Sequence, residues 1–384
     1  MKMLNDEVNS SVLETLRKQR LFRYDCNTPE ESEVSIFEKK FAKYVGSQYA
    51  VAMNSCSSAL FVALLCAGIK PGDKVAIPAF TFIAVPSSIV HAGALPVLIE
   101  VTEDYVMDLN DFEAKVADGS VRALMLSYMR GRIPNLDKVI EICNKYNVIF
   151  LEDSAHSLGI LYKGKQTGTF GIAGSYSAQS YKMIDSGEGG VLVTDNKDIA
   201  FKAMLYAGCY EHNWKKHFGT KDDVKLLEEM TNTIPAYNFR MSNLSAAALR
   251  PQLKNIEERI DYLNSNYQRL ADILSSNRFI RIPDFTPGVR FAADSIQWEF
   301  VGLSATNIDN ILSDLRKNNI HLDIFKGSNA RNFWNWTFFE CQETCSFTKE
   351  LIQRTVDLRL RFHLEAKDID KMGQEILNSV NKYS

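Results

Sequence analysis

One lysine of this chain stands where an amine could act as a nucleophile. Lys182 lies in the segment SAQSYKMIDSGEGG, residues 177–190, between a predicted strand and a glycine-rich turn that leads into another strand. An amine forms an imine with an aldehyde only in its neutral state, and partial burial lowers the pKa of a lysine enough to make that state accessible. Lys182 is therefore a candidate for covalent catalysis, and the alternative is a solvated lysine in a loop.

A carboxylate and a histidine follow another predicted strand. The segment EDSAHS, residues 152–157, comes directly after the apolar residues 148–151 and contains Asp153 and His156. A carboxylate at a strand end can pair with a cationic ring nitrogen, and a ring that is kept protonated in this way is a strong electron sink. Taken singly, Asp153 also fits the N-cap of a helix and His156 fits a hydrogen-bonded structural histidine.

Two further patterns have residue types that suit a phosphate group and a flat ring. The segment NSCSSAL, residues 54–60, places Ser57 and Ser58 between a strand and a helix, where donors meet the positive end of the helix. Phe82 ends the segment PAFTF, residues 78–82, at the carboxyl end of the next strand, where its side chain could stack on a flat ring. The alternatives are an ordinary serine N-cap and a core phenylalanine.

The elements that must hold these residues alternate between strand and helix. Short apolar strands are predicted at residues 50–53, 74–78, 95–99, 122–127, 148–152, 172–177 and 190–194, and helices at residues 57–67 and 82–92. This alternation predicts a mostly parallel sheet that is covered by helices on both faces. Ligands of such sheets bind at the carboxyl ends of the strands, which is where these patterns lie.

Helices are also predicted on both sides of the alternating region. They cover residues 8–21 and 29–46 before it and residues 251–275, 308–319 and 367–380 after it, with a strand-like run at residues 297–303. A length of 384 residues is more than one core supports comfortably. We therefore predict a large domain over residues 1–250 and a smaller α+β domain over residues 251–384.

Composition and charge exclude several classes of function. The chain is 46% hydrophobic and 24% charged with a formal net charge of −3, so it lacks the basic surface that nucleic-acid binding requires. No stretch resembles a signal peptide or a membrane-spanning helix. The seven cysteines show no metal-binding spacing and predict reduced thiols without a metal site. We expect a cytoplasmic protein that binds neither nucleic acid nor a membrane.

Together, and in this order, the patterns resemble those of the DegT/DnrJ/EryC1/StrS sugar aminotransferases. The resemblance runs from LFRY at residues 21–24 to NFRMS at residues 238–242, and more loosely to DLRL at residues 357–360 and HL at residues 363–364. It implies an α/β fold of the aspartate-aminotransferase type (fold type I). In this fold a mostly parallel seven-stranded sheet is sandwiched by helices and followed by a smaller α+β C-terminal domain. The implied cofactor is pyridoxal 5′-phosphate (PLP).

The resemblance also implies a role for each candidate residue. Lys182 would hold PLP as a Schiff base and act as the acid–base catalyst, while Asp153 would pair with the pyridine nitrogen. The other implied cofactor contacts are His156 at the hydroxyl or ring, Phe82 stacking on the ring, and Ser57, Ser58 and Ser177 at the phosphate. Asn238 lies in the segment that, in the family, reaches the phosphate in the neighbouring subunit, which implies a homodimer with shared active sites.

The sequence departs from the family pattern at three places. Cys56 stands where glycine is common, Met183 replaces a frequent asparagine, and SYMRG at residues 127–131 replaces a commoner HLYG. The last change introduces Arg130 near the expected site. Because a guanidinium binds carboxylates through two hydrogen bonds, we hypothesise that Arg130 binds an acid group of the amino donor or of an acidic sugar. The alternative is a surface ion pair.

The implied reaction moves an amino group from glutamate or glutamine to a keto- or aldehydo-sugar. Residues 129–131 and 179–182 look like a subgroup that includes the 8-amino-3,8-dideoxy-octulosonate transaminase, so an 8-oxo-3-deoxy-octulosonate-type acidic sugar is the favoured substrate. Nucleotide-linked keto-hexoses and inososes are the alternative acceptors. Two other readings are a PLP-dependent sugar dehydratase and a non-catalytic regulator. Lys182 favours transamination, because relatives that dehydrate sugars carry histidine at this position.

Overall fold

The structure, a computed structural model, describes residues 5–217, 223–327, 329–340 and 344–384. Its strands, in chain order, are β1 (Tyr49–Met53), β2 (Lys74–Pro78), β3 (Leu95–Ile99), β4 (Val121–Ser127), β5 (Ile149–Asp153), β6 (Leu161–Tyr162), β7 (Lys165–Gln166), β8 (Ala173–Ser177), β9 (Gly190–Thr194), β10 (Ile280–Arg281), β11 (Val289–Arg290), β12 (Ser295–Phe300), β13 (Asp323–Ile324) and β14 (Thr355–Arg359). Its helices are α1 (Asp6–Lys18), α2 (Glu33–Val45), α3 (Cys56–Cys66), α4 (Ala84–His91), α5 (Leu109–Val116), α6 (Leu136–Tyr146), α7 (Lys197–Tyr206), α8 (Val224–Thr231), α9 (Asn243–Leu249), α10 (Ile256–Leu274), α11 (Ala305–Lys317), α12 (Ser346–Gln353) and α13 (Ala366–Tyr383).

The main sheet has the strand order β1-β9-β8-β5-β4-β2-β3 within the described residues. The pairs from β8 to β3 are parallel, and β9 runs antiparallel to both of its neighbours. The carboxyl ends of β4, β5 and β8 therefore meet at one edge of the sheet. The predicted seven-stranded, mostly parallel sheet is confirmed.

Both faces of the main sheet are buried, because successive side chains of a strand point to opposite faces. In β4, Leu124 and Leu126 belong to a core shared with α2, α5 and α6, whereas Ala123 and Met125 belong to a core shared with α3, α4 and α7. Such two-sided burial explains why these strands are continuous apolar runs instead of alternating apolar and polar residues.

A second, antiparallel sheet forms the C-terminal part of the structure. Its order is β10-β12-β14-β13, and α10, α11 and α13 pack together against the same core as β12. A short third sheet, β11-β6-β7, joins the two parts through the pairing of Val289 with Tyr162. The chain passes from α9 to α10 through a 3₁₀ helix at Arg250–Asn255, where the predicted domain boundary falls. The division into residues 1–250 and 251–384 stays a proposal.

Most predicted elements are present, with ends displaced by a few residues. The helix predicted from Pro29 begins instead at Glu33, because Ser32 accepts a hydrogen bond from the Ser35 backbone and caps it. Residues 29–31 form a separate 3₁₀ turn. None of the described helices combines the length and the apolar character that crossing a membrane requires.

Candidate active site

A cavity of about 320 Å³ opens at the carboxyl ends of β4, β5 and β8. Its lining includes Asp153 at the end of β5, Lys182 in the turn between β8 and β9, and Arg359 from the C-terminal sheet. The volume lies within the ~300–1,000 Å³ that small-molecule sites typically occupy. The cavity therefore lies where the sequence predicted ligand binding, between the two parts of the chain.

Lys182 is partly buried in this cavity. Burial lowers the pKa of its ammonium group to about 8, and the positive charges of Arg359 and Arg130 act in the same direction. Tyr181, immediately before it, has a φ of 77°, a left-handed backbone conformation that costs a non-glycine residue ~1–3 kcal/mol. Such strained residues cluster at functional sites.

His156 connects the lysine to the C-terminal part of the chain. Its Nε2 lies 2.8 Å from Nζ of Lys182, and its Nδ1 lies 3.4 Å from Oδ2 of Asp294. Burial, reinforced by the charge of Lys182, holds the pKa of His156 well below its usual range, so the ring is neutral. With Nδ1–H donating to Asp294, Nε2 is free to accept a hydrogen bond from Lys182.

Asp153 ends β5 with its carboxylate inside the cavity lining. Its Oδ2 accepts a hydrogen bond of 2.6 Å from the Ser127 hydroxyl, and its Oδ1 accepts one of 3.1 Å from the backbone N–H of Ala155. Burial raises the pKa of Asp153, while these two hydrogen bonds lower it. A fixed, buried carboxylate of this kind is suited to a cationic partner.

The amino end of α3 forms another wall of the cavity. Ser55 caps the helix by accepting a hydrogen bond of 3.1 Å from Ser58 N–H, and Ser57 lines the cavity. The turn packs closely on β9, where a Cβ on Gly190 would collide with the backbone of Ser55 and Cys56. Free backbone donors at a helix amino end attract a phosphate group.

Two other predicted cofactor residues also line the cavity. Phe82 keeps 45% of its surface exposed, which is unusual for a phenylalanine and argues against a core role. Ser177 ends β8, and its Oγ accepts a hydrogen bond of 3.3 Å from the Gln179 backbone. The structure thus brings Lys182, Asp153, His156, Ser57, Phe82 and Ser177 together around one cavity.

Three predicted residues lie outside the cavity lining. The Ser58 hydroxyl turns back to Asn54 Oδ1, at 2.7 Å, and Asn238 is exposed on the surface. Arg130 forms a fully buried ion pair of 2.5 Å with Asp357, so it is not in a surface pair. Its role in binding an acid group stays a prediction, in which a substrate carboxylate would have to compete with Asp357.

The structure adds residues of the C-terminal part to those predicted to contact the cofactor. Arg331 and Arg359 line the cavity, and Asp294 contacts His156 and forms an ion pair of 2.7 Å with Arg359. Arg359 belongs to the DLRL segment that carries part of the family resemblance. Arg331 begins the run RNFWNW, residues 331–336, which the sequence predicts either to help shape the sugar pocket or a dimer contact or to form an ordinary aromatic core. Asp294 has no local pattern. Asp294 and Arg331 are brought to the site only by the packing of the C-terminal sheet.

Comparison with solved structures identifies the fold. The chain aligns with 3-amino-5-hydroxybenzoic acid (AHBA) synthase at a TM-score of 0.85 and 22% identity, covering 98% of this chain and 97% of that one. It aligns with a DegT DnrJ EryC1 StrS aminotransferase from Brucella abortus at a TM-score of 0.81 and 22% identity, covering 98% and 99%. The aminotransferase fold is therefore confirmed.

Sequence comparison identifies the family. The model of the DegT/DnrJ/EryC1/StrS aminotransferase family matches residues 5–377. The chain is 31% identical to a GDP-perosamine synthase of Caulobacter vibrioides over 290 residues, 73% of this chain and 72% of that protein. It is 32% identical to the spore coat polysaccharide biosynthesis protein SpsC of Bacillus subtilis over 229 residues, 59% of this chain and 57% of that protein. This chain belongs to the DegT/DnrJ/EryC1/StrS aminotransferase family.

The chain is accordingly a PLP-dependent sugar aminotransferase, as the sequence patterns predicted. The cavity fits the cofactor in chemistry as well as in size. It offers an amine of lowered pKa at Lys182, a buried carboxylate at Asp153, an exposed ring at Phe82, and a helix amino end beside Ser57. These are the partners that an aldehyde, a pyridine nitrogen, an aromatic ring and a phosphate require.

Proposed function

We propose that this chain transfers the amino group of glutamate or glutamine to the carbonyl carbon of a nucleotide-linked keto-hexose. The observation that carries the proposal is the presence of Lys182, with a pKa of about 8, in one cavity with the buried carboxylate of Asp153. The choice of acceptor is supported by the 31% identity to a GDP-perosamine synthase, and it replaces the acidic sugar that the sequence patterns favoured.

Lys182 performs the covalent and proton-transfer work in this proposal. When it is bound, PLP supplies an aldehyde that accepts amines and a ring that withdraws electrons from the reacting carbon. With a pKa of about 8, roughly one tenth of the Lys182 side chains are neutral at pH 7, far more than for an ordinary lysine. The neutral ε-nitrogen would hold the cofactor until the amine of the donor displaces it. The freed ε-nitrogen would then accept the proton from the donor Cα and deliver it to the cofactor.

The surrounding residues position the reacting groups. The Asp153 carboxylate would accept a hydrogen bond from the protonated ring nitrogen, and the backbone donors at the start of α3, with Ser57, would hold the phosphate. The Phe82 ring would cover one face of the cofactor and exclude water from it. His156, neutral and anchored by Asp294, accepts a hydrogen bond from Lys182 and orients its ε-nitrogen.

An acidic aldehydo-sugar is the second candidate acceptor. It is favoured by the positive side chains of Arg331 and Arg359 in the lining of the same cavity. A sugar acid of the 8-oxo-3-deoxy-octulosonate type would present a carboxylate to them. The two candidates differ in the group that the site must recognise. A nucleotide-linked keto-hexose carries a nucleoside diphosphate, and the acidic sugar carries a carboxylate.

We also propose a homodimer with shared active sites. The exposed Asn238 lies between Tyr237 and Phe239, whose rings stack at 4.9 Å and are partly open to solvent. Nearby, the guanidinium of Arg240 lies over the half-exposed rings of Phe22 and Tyr210. An exposed aromatic surface of this composition is typical of a protein interface, and a second copy of the chain is the proposed occupant. Sedimentation of the purified protein should give twice the mass of one chain.

The cysteines support a cytoplasmic location, which is part of the proposal. Six of the seven lie in the described residues, and Cys26, Cys56, Cys66, Cys143 and Cys209 among them are free thiols. Cys341 lies outside the described residues. Burial raises the pKa of Cys143 to about 12, so this thiol is protected from oxidation by its protonated state. Free, buried thiols are the usual state of cysteine in a reducing compartment.

Two measurements test the proposed function. Borohydride reduction of the PLP-loaded protein, followed by peptide mapping, should fix the cofactor to the peptide that contains Lys182, and an adduct at any other lysine would contradict the assignment. The protein loaded with pyridoxamine phosphate should then be offered nucleotide-linked keto-hexoses and aldehydo-sugar acids. We expect a nucleotide-linked keto-hexose to restore the absorbance of PLP. If no sugar of the panel restores it, the proposal is excluded.

A further inference from the structure

Three arginines and two aspartates meet beside the active-site cavity. Arg359 is paired with Asp294 at 2.7 Å, and Arg130 is paired with Asp357 at 2.5 Å. Arg331 lines the cavity, and no carboxylate of residues 5–217, 223–327, 329–340 or 344–384 lies within ion-pairing distance of it. The cluster therefore carries one positive charge that the described carboxylates do not neutralise.

The backbone around Arg331 is held by contacts on both sides. Asn332 forms a backbone bridge with Phe80, two residues after the end of β2, and its side-chain amide donates a hydrogen bond of 3.1 Å to the Gly327 carbonyl. The guanidinium of Arg331 lies 5.1 Å from the centre of the Phe325 ring, which is completely buried. The cation is thus placed against a fixed aromatic surface, so little conformational entropy is lost when it binds an anion.

The carboxylates around Arg331 do not neutralise its positive charge. Burial lowers the pKa of Arg331, but a guanidinium stays protonated at neutral pH. Asp323 and Asp357 contribute negative potential, and Arg359 opposes it. Asp323 is exposed and Asp357 is already held by Arg130. A partly buried cation without a paired anion is unfavourable, and a ligand carboxylate would relieve that cost through two parallel hydrogen bonds.

We propose that Arg331, flanked by Arg359, binds a carboxylate of the substrate that reacts at Lys182. The inference rests on the proposed function and specifies one recognition group of the same site. The carboxylate comes either from the amino donor, whose acid group is one bond from the reacting carbon, or from an acidic sugar. In both cases the group that Arg331 binds is a carboxylate. Measuring the donor half-reaction and the sugar half-reaction separately shows which substrate carries it.

The test compares Arg331→Gln and Arg331→Lys with a matched control, Arg278→Gln. Arg278 is also an arginine over a phenylalanine ring, at 4.7 Å from Phe279, but it is exposed and outside the cavity lining. The binding of glutarate, an unreactive dicarboxylate, is titrated by its effect on PLP absorbance. The apparent dissociation constants of glutamate, glutamine and the reactive sugar are then measured in the separate half-reactions, and circular dichroism verifies folding.

The expected result is a rise of roughly 10- to 100-fold in the dissociation constant of a carboxylate ligand in Arg331→Gln, as for the loss of a charged hydrogen bond. Arg331→Lys should lie between this variant and the wild type, because it keeps the charge but loses the second hydrogen bond. A change confined to glutamate and glutamine assigns the donor carboxylate, and a change confined to the sugar assigns a sugar acid.

The inference is overturned if every dissociation constant in Arg331→Gln stays within about twofold of wild type, or if Arg278→Gln changes equally. Failure of the proposed function has a different signature. In that case the wild-type protein would not convert PLP to pyridoxamine phosphate with any donor, while the glutarate titration would still report on Arg331.

Discussion

The ε-nitrogen of Lys182 lies 2.8 Å from Nε2 of His156. The other nitrogen of the imidazole faces Asp294, which is paired with Arg359. One neutral ring therefore connects the reactive amine in the turn after β8 with an ion pair of the C-terminal part. Burial is the main cause of the lowered pKa of Lys182, and both ions of this pair add to it with opposite signs, so the C-terminal part of the chain contributes to the protonation of the amine.

Removing these two charges one at a time should shift the pKa of Lys182 in opposite directions. Asp294 raises the pKa and Arg359 lowers it, against a background of burial that brings it to about 8. Asp294→Asn should therefore make the amine neutral at lower pH, and Arg359→Gln should make it neutral only at higher pH. The measurement is the rate at which acetic anhydride labels Lys182 in the cofactor-free protein as a function of pH.

The control for this experiment is Arg269→Gln, which removes a surface ion pair with Asp370. Its labelling midpoint should equal that of the wild type, because exposed and distant charges are screened by solvent and salt. If Asp294→Asn and Arg359→Gln moved the midpoint in the same direction, the change would reflect an altered burial of Lys182 and not the charges.

The two serines at the start of α3 should differ in their effect on PLP binding. Ser57 lines the cavity, whereas the Ser58 hydroxyl hydrogen-bonds with Asn54 at 2.7 Å and with Ser55 at 2.9 Å. Ser57→Ala should weaken PLP binding by about 10-fold through the loss of a hydrogen bond to the phosphate, and Ser58→Ala by less than about 2-fold. Fluorescence titration of the cofactor-free variants gives both dissociation constants. Equal losses in the two variants would show that both hydroxyls reach the phosphate.

The main sheet and the positions of most site residues were predictable from local sequence. The strands are short apolar runs between helices, and Asp153 and Ser177 each end one of them. In a parallel sheet such ends meet at one edge, so residues that are far apart in the sequence are brought together. The glycine-rich turn after Lys182 supplied the remaining signal.

Asp294 and the pairing of Arg130 were not predictable in this way. Arg130 meets Asp357 across 227 positions of sequence, and His156 meets Asp294 across 138 positions. These contacts depend on how the C-terminal sheet packs against the main sheet, which no periodicity or motif specifies. The alternative role of Arg130 in a surface ion pair was wrong for the same reason, because the burial of the pair results from that packing.

The hydrogen bond between Ser127 and Asp153 should tune the acid limb of the pH profile. Burial raises the pKa of Asp153, and the 2.6 Å hydrogen bond from Ser127 lowers it. Ser127→Ala should raise that pKa, so the carboxylate would be protonated, and lost as an anionic partner, at a higher pH than in the wild type. In Ser127→Ala, the acid midpoint of the profile of kcat/KM against pH should therefore lie at a higher pH than in the wild type. Removing the carboxylate altogether, in Asp153→Asn, should lower kcat by about 10²–10⁴-fold.

A matched control for this prediction is Ser175→Ala. Ser175 lies beside Asp153 on β8 and is fully buried, but its hydroxyl makes no hydrogen bond within the described residues. Its acid midpoint should equal that of the wild type. An upward displacement of similar size in Ser175→Ala would mean that the loss of any neighbouring hydroxyl, and not the specific donor, is responsible.

The buried pair of Arg130 and Asp357 should show strong coupling in a double-mutant cycle. Both side chains are 0% exposed, so either Arg130→Met or Asp357→Leu leaves an unpaired charge in the interior, at a cost of about 3–5 kcal/mol in the free energy of unfolding. The double variant should lose much less than the sum of the single variants, because it buries neither charge. Urea unfolding of the four PLP-loaded proteins measures the coupling.

The same proteins decide between a structural and a substrate-binding role for Arg130. If the only partner of the Arg130 guanidinium is Asp357, the guanidinium does not contact a substrate. The double variant should then keep the KM values of the wild type for both the donor and the sugar. If Arg130 instead leaves Asp357 to bind a substrate acid, the KM for that substrate should rise by about 10-fold or more in the double variant, even though folding is restored. A KM increase for one substrate without a loss of stability would therefore establish Arg130 as a binding residue.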